Sequence, residues 1–307
     1  MGINGHGLEF LVWSKREGVR FERMMTLGRQ QFFWFTPEKM KRVLGEYGLL
    51  VSESEARADL TGGDGFAEPL FARLGAEEVR SMDASPFEGA SDVHDLNEPI
   101  PASLKQHFSA VIDSGTLEHV FNFPQAIANA MEMVEPGGHL LLMNPTNNEG
   151  GHGFYQFAPE LFFRVLSPEN GFSVERFLLR EYLGRHWYEV ADPAELGHRS
   201  QFRSRGIAYL YVRARREKVV APFNSWPQQS DFVSAWSQAS AGAATSSRSS
   251  KLKARVRRIL PRAFLNQYSS LRGKRIIFTW KHPVLYQHQR EQFRRVRERS
   301  RPDGTRA

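Results

Sequence analysis

Small and acidic residues directly follow two short apolar segments of the chain. Asp83 follows the first segment, and Asp113, Ser114 and Gly115 follow the second. Because ligands of open α/β sheets bind at the carboxyl ends of the strands, these residues are candidates for one binding site. A carboxylate in such a place can accept two hydrogen bonds from a ribose diol, and charge-assisted bonds are about twice as strong as neutral ones. The alternative for Asp83 is an exposed residue that caps the next turn.

Two histidines, an acid and a tyrosine are candidates for general acid–base catalysis. Glu118 and His119 come shortly after Gly115, and His152 and Tyr155 lie in a glycine-punctuated loop. An imidazole with an ordinary pKa of about 6.5 suits proton transfer near neutral pH. Glu118 and His119 are adjacent rather than three or four residues apart, so the spacing predicts no metal site. The chain has no cysteine, which excludes disulfides, a thiol nucleophile and Cys-ligated metals.

The segment of residues 108–145 predicts the elements that position these side chains. Residues 110–112 form an apolar run, apolar residues recur at helical spacing from 126 to 134, and a second apolar run covers 140–143. A strand, a crossover helix and a second strand imply a parallel pair with a right-handed connection. Further strands are predicted at residues 23–27, 79–82, 174–179 and 207–212, and further helices at 37–47, 67–74 and 157–166.

Several motifs in this frame resemble class I S-adenosylmethionine-dependent methyltransferases. They are the acid-ended strand, LEHV at 117–120, EPGG at 135–138 and the strand that ends in Asn144-Pro145. TLGRQ at 26–30, DASPFEGA at 83–90, HDLN at 94–97 and GHGFYQF at 151–157 resemble a less studied branch of that family.

The resemblance covers residues 23–215 approximately and implies a fold, a cofactor and a reaction. The fold is a Rossmann-like α/β sheet of about seven mostly parallel strands flanked by helices. The implied cofactor is S-adenosylmethionine, and the implied reaction is methyl transfer to a small-molecule or glycan or lipid-precursor acceptor. Asp83 would bind the ribose, Asp95 the adenine amine, and Leu96 would pack on the adenine ring. The implied cofactor-binding residues are Gly28, Arg29, Gln30, Asp83, Ala84, Asp95, Leu96, Asp113, Ser114 and Gly115.

The turn after the first predicted strand has one glycine where most methyltransferases have three. Glycines are needed there because a Cβ keeps the backbone from approaching the ligand and because the turn uses positive φ. Two alternatives therefore stay open: a catalytically silent scaffold, and a nucleotide-sugar or NAD-binding enzyme on the same architecture. Residues 59–65 are either a replacement glycine loop or a plain surface turn. No strand precedes Gly2, Gly5 and Gly7, which predicts a flexible terminus.

Charge divides the chain into an acidic body and a basic tail. Residues 251–307 hold 17 basic and 3 acidic residues, a net charge of +14, while the remaining 250 hold 24 basic and 31 acidic residues, a net charge of −7. This predicts a methyltransferase-like domain at 1–215, a linker at 216–250 and a basic, partly helical tail at 251–307. Within the domain, residues 180–205 are long enough for an acceptor-facing insertion.

The tail has an amphipathic pattern, with Leu252, Val256 and Ile259 on the face opposite Lys253 and Arg257. Such a segment suits an anionic membrane surface, and its alternatives are docking onto an acidic body, a solvated helix and, with less support, nucleic acid. No apolar run approaches the ~20 residues of a membrane span. We therefore predict a cytoplasmic protein that associates peripherally with the inner membrane face.

Overall fold

The computed structural model describes residues 2–32, 42–45, 64–244 and 293–295 of the 307-residue chain. Residues 42–45 are helical and belong to the helix predicted at 37–47, the rest of which lies outside the described residues, as do residues 59–63. A two-stranded parallel pair joins β1 (Gly2–Ile3) to β3 (Gln31–Phe32). All other described strands belong to one sheet.

This sheet has nine described strands in the order β11-β9-β8-β10-β7-β6-β2-β4-β5. From β5 to β8 along this order, β10 is the one strand that runs against the others. The predicted Rossmann-like α/β sheet is therefore confirmed, with β9 and β11 added at one edge. The strands are β2 (Arg23–Leu27), β4 (Glu78–Asp83), β5 (Asp92–Val93), β6 (Phe108–Ser114), β7 (Val134–Asn147), β8 (Phe172–Glu181), β9 (Tyr188–Val190), β10 (Ala208–Arg216) and β11 (Phe293–Arg295).

Helices cover both faces of the sheet because the buried strands are apolar on both sides. Val111 of β6 and Leu140 of β7 belong to one core cluster, and their neighbours Ile112 and Leu141 belong to the other. The helices are α1 (Gly5–Arg16), α2 (Glu68–Arg73), α3 (Phe123–Met133), α4 (Pro159–Val165), α5 (Pro193–Leu196) and α6 (Ser230–Ala244). Residues of α3 and α4 lie in the first cluster, and residues of α1 and α2 lie in the second.

Buried Arg216 satisfies the carbonyl end of α3. Its Nη1 donates to the carbonyl oxygens of Met131, Glu132 and Val134 at 2.6–3.1 Å. The last carbonyls of a helix have no partner within the helix, so a side-chain donor there stabilises the helix end. This contact holds the end of α3 against β10, the strand that contains Arg216.

The chain reverses its direction of travel across the sheet between β2 and β6. From β2 it moves outward through β4 to β5, and it then returns to β6 on the other side of β2 and continues to β7. Ligands of such sheets bind at this reversal, at the carboxyl ends of the strands. The loops after the two strands are in contact there, since Thr116 Oγ1 donates to the carbonyl oxygen of Leu27.

The prediction of a flexible amino terminus is wrong, because Gly5 and Gly7 lie in α1 and are buried. The Asn4 side chain caps this helix by accepting hydrogen bonds from the amides of His6 and Gly7. A Cβ on Gly7 would lie 3.1 Å from the sulfur of Met143. A larger residue there would require the Met143 side chain to move, because α1 lies close to β7.

The second half of the chain contains two elements outside the predicted domain of residues 1–215. Helix α6 occupies part of the predicted linker at 216–250. Strand β11, from the basic tail, pairs antiparallel with β9 at the edge of the sheet. The amphipathic pattern of residues 252–264 lies outside the described residues. Among the helices that the structure describes, none is long and apolar enough to cross a membrane.

Candidate active site

A cavity of about 390 Å³ opens at the carboxyl ends of β6 and β7, next to the reversal in strand order. Ser114 and Gly115 at the end of β6 form one wall, and Gly2 of β1 borders it. Ser114 Oγ donates to the carbonyl oxygen of Gly2 at 3.0 Å, which fixes the first strand against this wall. The cavity also contains the side chains of Glu118, His119, Glu149, His152, Tyr209 and Tyr211.

Two buried carboxyl groups share one amide beneath the cavity. The Nδ2 atom of Asn144 donates both to Asp113 Oδ2 and, at 3.1 Å, to Glu118 Oε2. Asp113 Oδ1 accepts the backbone amides of Thr116 and Leu117 at 3.0 and 3.3 Å, so this residue caps the short 3₁₀ turn that carries Glu118. Asp113 thus positions the turn instead of facing the cavity.

Burial raises the pKa of both acids. Desolvation raises the pKa of Asp113 to about 6, against the lowering effect of its hydrogen bonds from Asn144 and the backbone amides. Desolvation and then the charge of Asp113 raise the pKa of Glu118 to about 8. Two acids this close oppose each other's ionisation, and a bound cation would relieve that repulsion.

The side chains of Glu118, His119 and His152 converge at the wall of the cavity. His119 Nε2 and His152 Nε2 lie 3.3 Å apart, and His152 Nε2 lies 3.7 Å from Glu118 Oε1. Glu118 is fully buried, and its Oε1 has no hydrogen-bond partner among the described residues. Burial and the nearby His152 lower the pKa of His119, which favours its neutral form.

The loop of residues 147–157 reaches Glu118 through backbone contacts. The amides of Phe154 and Tyr155 donate to the carbonyl oxygen of Glu118 at 2.7 and 3.3 Å. Gly153 has φ +70°, and a Cβ there would lie 2.7 Å from the same oxygen. A glycine at this position therefore lets the loop place His152 beside Glu118 and His119.

A second acid and two tyrosines complete the cavity, and sequence reasoning missed all three. Tyr209 donates its hydroxyl to Glu149 Oε1 at 2.8 Å, while Glu149 Oε2 is buried without a partner in the described part of the chain. Burial raises the pKa of Tyr209 and of Tyr211, so both hydroxyls stay protonated. Tyr209 and Tyr211 are two residues apart in β10 and so share one face of the sheet, which was a usable signal. Glu149 lies in a polar loop that gives no such signal.

The insertion predicted at residues 180–205 contributes to the same cavity. Tyr182, which directly follows β8, lines it. Further along, residues 188–190 form β9 and residues 193–196 form α5. The segment is therefore partly regular and touches the candidate site at its start.

The turn after β2 is closed by its own side chains. Gly28 has φ +71°, and its amide donates to the carbonyl oxygen of Met82. Buried Gln30 donates Nε2 to the carbonyl oxygens of Leu27 and Gly28 at 2.7 and 3.2 Å. The Arg29 guanidinium binds Asp64 and Glu68 and packs on a neighbouring ring. The side chains of Arg29 and Gln30 therefore stabilise the turn itself. Of these three predicted cofactor-binding residues, Gly28 alone has the positive φ expected of a glycine-loop residue.

The remaining predicted cofactor residues lie along the ends of β4 and β5. Asp83 is the last residue of β4 and is partly exposed, and Ala84 after it is exposed. Asp95 is exposed, and Asn97 lowers the pKa of its carboxyl group through backbone and side-chain hydrogen bonds to Oδ1. Leu96 is buried in the core cluster of α3. The structure thus places Asp83 and Asp95 at the rim of the sheet's carboxyl edge and Leu96 beneath it, and none of these four residues lines the cavity.

Tyr155 is the predicted catalytic candidate that the structure does not bring to the cavity. Its hydroxyl donates to the carbonyl oxygen of Phe121 at 2.7 Å, and its ring lies against Phe123 and Phe157. Glu118, His119 and His152, by contrast, all line the cavity.

Comparisons with known proteins found distant likenesses among solved structures. No protein-family model and no curated protein matches the sequence. Among solved structures, the branched-chain polyamine synthase from Thermus thermophilus is 14% identical, with a TM-score of 0.36 over 71% of this chain and 58% of that chain. The N-methyltransferase NodS from Bradyrhizobium japonicum in complex with S-adenosyl-L-homocysteine is 13% identical, with a TM-score of 0.36 over 70% of this chain and 86% of that chain. The 1,6-didemethyltoxoflavin-N1-methyltransferase from Burkholderia thailandensis is 11% identical, with a TM-score of 0.36 over 68% of this chain and 80% of that chain.

Proposed function

We propose that this protein transfers a methyl group from S-adenosylmethionine to a small-molecule or glycan or lipid-precursor acceptor. One observation carries the proposal: the cavity at the reversal in strand order contains two acids, Glu118 and Glu149, each with a buried oxygen that lacks a partner within the described residues. Such oxygens are costly unless a cation or a donor satisfies them. A cation in the cavity would stabilise the ionised form of Glu118, whose pKa burial raises, so the cavity favours a ligand with positive charge over an anion.

That charge preference separates the proposal from a nucleotide-sugar or NAD-binding enzyme. A pyrophosphate is bound by backbone amides and basic side chains, whereas the cavity presents carboxyl oxygens of Glu118 and Glu149 that have no partner among the described residues. A sulfonium carries one positive charge, which carboxylates attract. The residues of the cavity therefore fit the sulfonium donor.

When bound, S-adenosylmethionine supplies a methyl group on a sulfonium that is its own leaving group. The protein then has to hold the acceptor in line and to take up its proton where the acceptor bears one. When no cation is bound to them, His119, with its lowered pKa, and His152 at the cavity wall are the candidates for that proton. Asp83 at the rim is the candidate for the ribose hydroxyls.

The second candidate is a scaffold without catalytic activity. It is favoured by the turn after β2, where the Gln30 side chain occupies the carbonyl oxygens of Leu27 and Gly28. Filling this turn removes the space in which a glycine loop contacts its ligand. A scaffold of this kind would bind no S-adenosylmethionine.

Calorimetry on the full-length chain with S-adenosylmethionine, S-adenosylhomocysteine and NAD distinguishes these functions. We expect binding of the first two and none of NAD. Asp83→Ala should weaken S-adenosylmethionine by about ten- to a hundredfold, because a charged hydrogen bond contributes about 1.5–3 kcal/mol. Glu77→Ala is the matched control, since Glu77 is exposed and directly precedes β4, at the end of the strand opposite Asp83. No binding at millimolar ligand would support the scaffold, and binding of NAD alone would support the third function.

A further inference from the structure

We propose that Glu118, His119 and His152 form a binding site for a divalent transition-metal cation, with Zn²⁺ as the ion that this ligand set fits. The three side chains offer one oxygen and two imidazole nitrogens that all lie within 4.8 Å of one another. The spacing rule applied to the sequence predicted no metal, because Glu118 and His119 are adjacent. The structure supplies the third group from a loop 33 residues after His119.

The distances are those of a zinc site that has not closed around its ion. Tetrahedral zinc with bonds of about 2.0–2.1 Å keeps its ligand atoms about 3.3–3.4 Å apart. The two Nε2 atoms lie 3.3 Å apart, and His152 Nε2 lies 3.7 Å from Glu118 Oε1. All three atoms lie within 4.8 Å of one another and both histidines are exposed, so their rings can rotate to shorten the longer separations when an ion binds.

The buried carboxyl group of Glu118 points to a cation and not to a hydrogen bond between the histidines. A shared proton accounts for the contact between His119 and His152, but it leaves Glu118 Oε1 without a donor. This oxygen belongs to a fully buried side chain. A cation between the three groups satisfies the oxygen and both nitrogens together.

The support around Glu118 is of the kind that orients a metal ligand. Its second oxygen accepts from Asn144 Nδ2 at 3.1 Å, and the same amide is fixed by Asp113. Partners behind a ligating carboxylate set its orientation and tune the metal. The amides of Phe154 and Tyr155 bind the carbonyl oxygen of Glu118, so the loop with His152 is held to the same residue.

The donor types select the class of ion. Two imidazoles and one carboxylate suit Zn²⁺ and similar ions, whereas Mg²⁺ and Ca²⁺ prefer oxygen ligands throughout. Three protein ligands leave a fourth position open, and all three residues line the cavity that Glu149 also lines.

The test is a titration of the metal-depleted, tag-free full-length protein with Zn²⁺ by calorimetry and with Co²⁺ by visible absorption. We expect one equivalent of Zn²⁺ per chain and a Co²⁺ band that Zn²⁺ abolishes. His119→Ala and His152→Ala should each lower the affinity for Zn²⁺ at least about a hundredfold. Loss of a residue that only orients a metal ligand costs about ten- to a hundredfold, and loss of the ligand itself costs more. Both histidines are exposed, so neither change should unfold the chain.

His107→Ala is the matched control. His107 lies 3.1 Å from Glu78, so it has a carboxylate partner but belongs to no three-residue cluster in the described part of the chain. Its loss should leave the affinity and stoichiometry unchanged. Zn²⁺ binding that survives loss of His119 and of His152, or the absence of a Co²⁺ band, would overturn the site. No substrate is used, so the result is independent of the proposed methyl transfer.

Discussion

Replacing Gly153 by alanine tests how the site is assembled. Gly153 lies between His152 and the two amides that bind the carbonyl oxygen of Glu118. The residue has φ +70°, and a Cβ would lie 2.7 Å from that carbonyl oxygen. The substitution therefore strains the backbone and pushes the loop away from Glu118.

The cost follows from these two effects. The left-handed conformation costs a residue with a Cβ about 1–2 kcal/mol. Displacement of the loop weakens the hydrogen bonds from Phe154 and Tyr155, each of which contributes about 0.5–1.5 kcal/mol. Together they give about 2–5 kcal/mol. At about 2–4 °C per kcal/mol for a domain of roughly 150–250 residues, the melting temperature should fall by roughly 4–20 °C.

The measurement is thermal unfolding together with hydrogen exchange of the loop amides. Should the loop detach before the domain unfolds, the melting temperature changes less and the Phe154 and Tyr155 amides lose protection instead. Gly151→Ala is the matched control, because a Cβ there meets no atom within 4 Å. If Gly153→Ala matches Gly151→Ala in both measurements, the assembly of the site through this glycine is refuted.

Three further predictions concern the fold, the cavity and the tail. Arg216→Met should lower the free energy of unfolding, measured by denaturant titration, by about 2–4 kcal/mol, because three carbonyl oxygens at the end of α3 lose a charged donor. The control is Arg215→Met, which should change the free energy of unfolding by less than about 0.5 kcal/mol because Arg215 is partly exposed. Glu149→Gln should reduce the preference for S-adenosylmethionine over S-adenosylhomocysteine in calorimetry, because the change removes one negative charge from the cavity; an unchanged preference would exclude Glu149 as the source of charge selection. A chain that ends at Ser250 should lose binding to anionic vesicles. The binding of the full chain should weaken with salt, because the Debye length falls from about 10 Å at 0.1 M to about 3 Å at 1 M. Equal co-sedimentation of the two chains would contradict the membrane prediction.

The central strands could be predicted because their burial on both faces leaves continuous apolar runs. Residues 110–112 and 140–143 are such runs, and they lie in β6 and β7. Strand β9 could not be predicted, because its three residues pair at the sheet edge and carry no apolar run. Asn4 and the apolar residues after it are typical of a helix start, yet helix α1 was not predicted. The glycines in the same segment favoured a flexible terminus.

The candidate site was less accessible to prediction, since tertiary contacts assemble it. Glu118 and His119 were expected at the sheet edge from their position after β6. The approach of His152 depends on amides that bind the carbonyl oxygen of Glu118, and backbone contacts of this kind leave no pattern in residue types. Leu96 was expected to contact the ligand but is buried beneath the rim. Its position depends on how the loop after β5 packs on α3.

The position of β1 has a practical consequence for any work on this protein. Gly2 borders the cavity and accepts a hydrogen bond from Ser114, so residues placed before it begin next to the cavity. An amino-terminal polyhistidine tag would bring additional imidazoles close to a place where two histidines and an acid already converge. Such a tag would compete for cations there. Its removal before any metal titration avoids this effect.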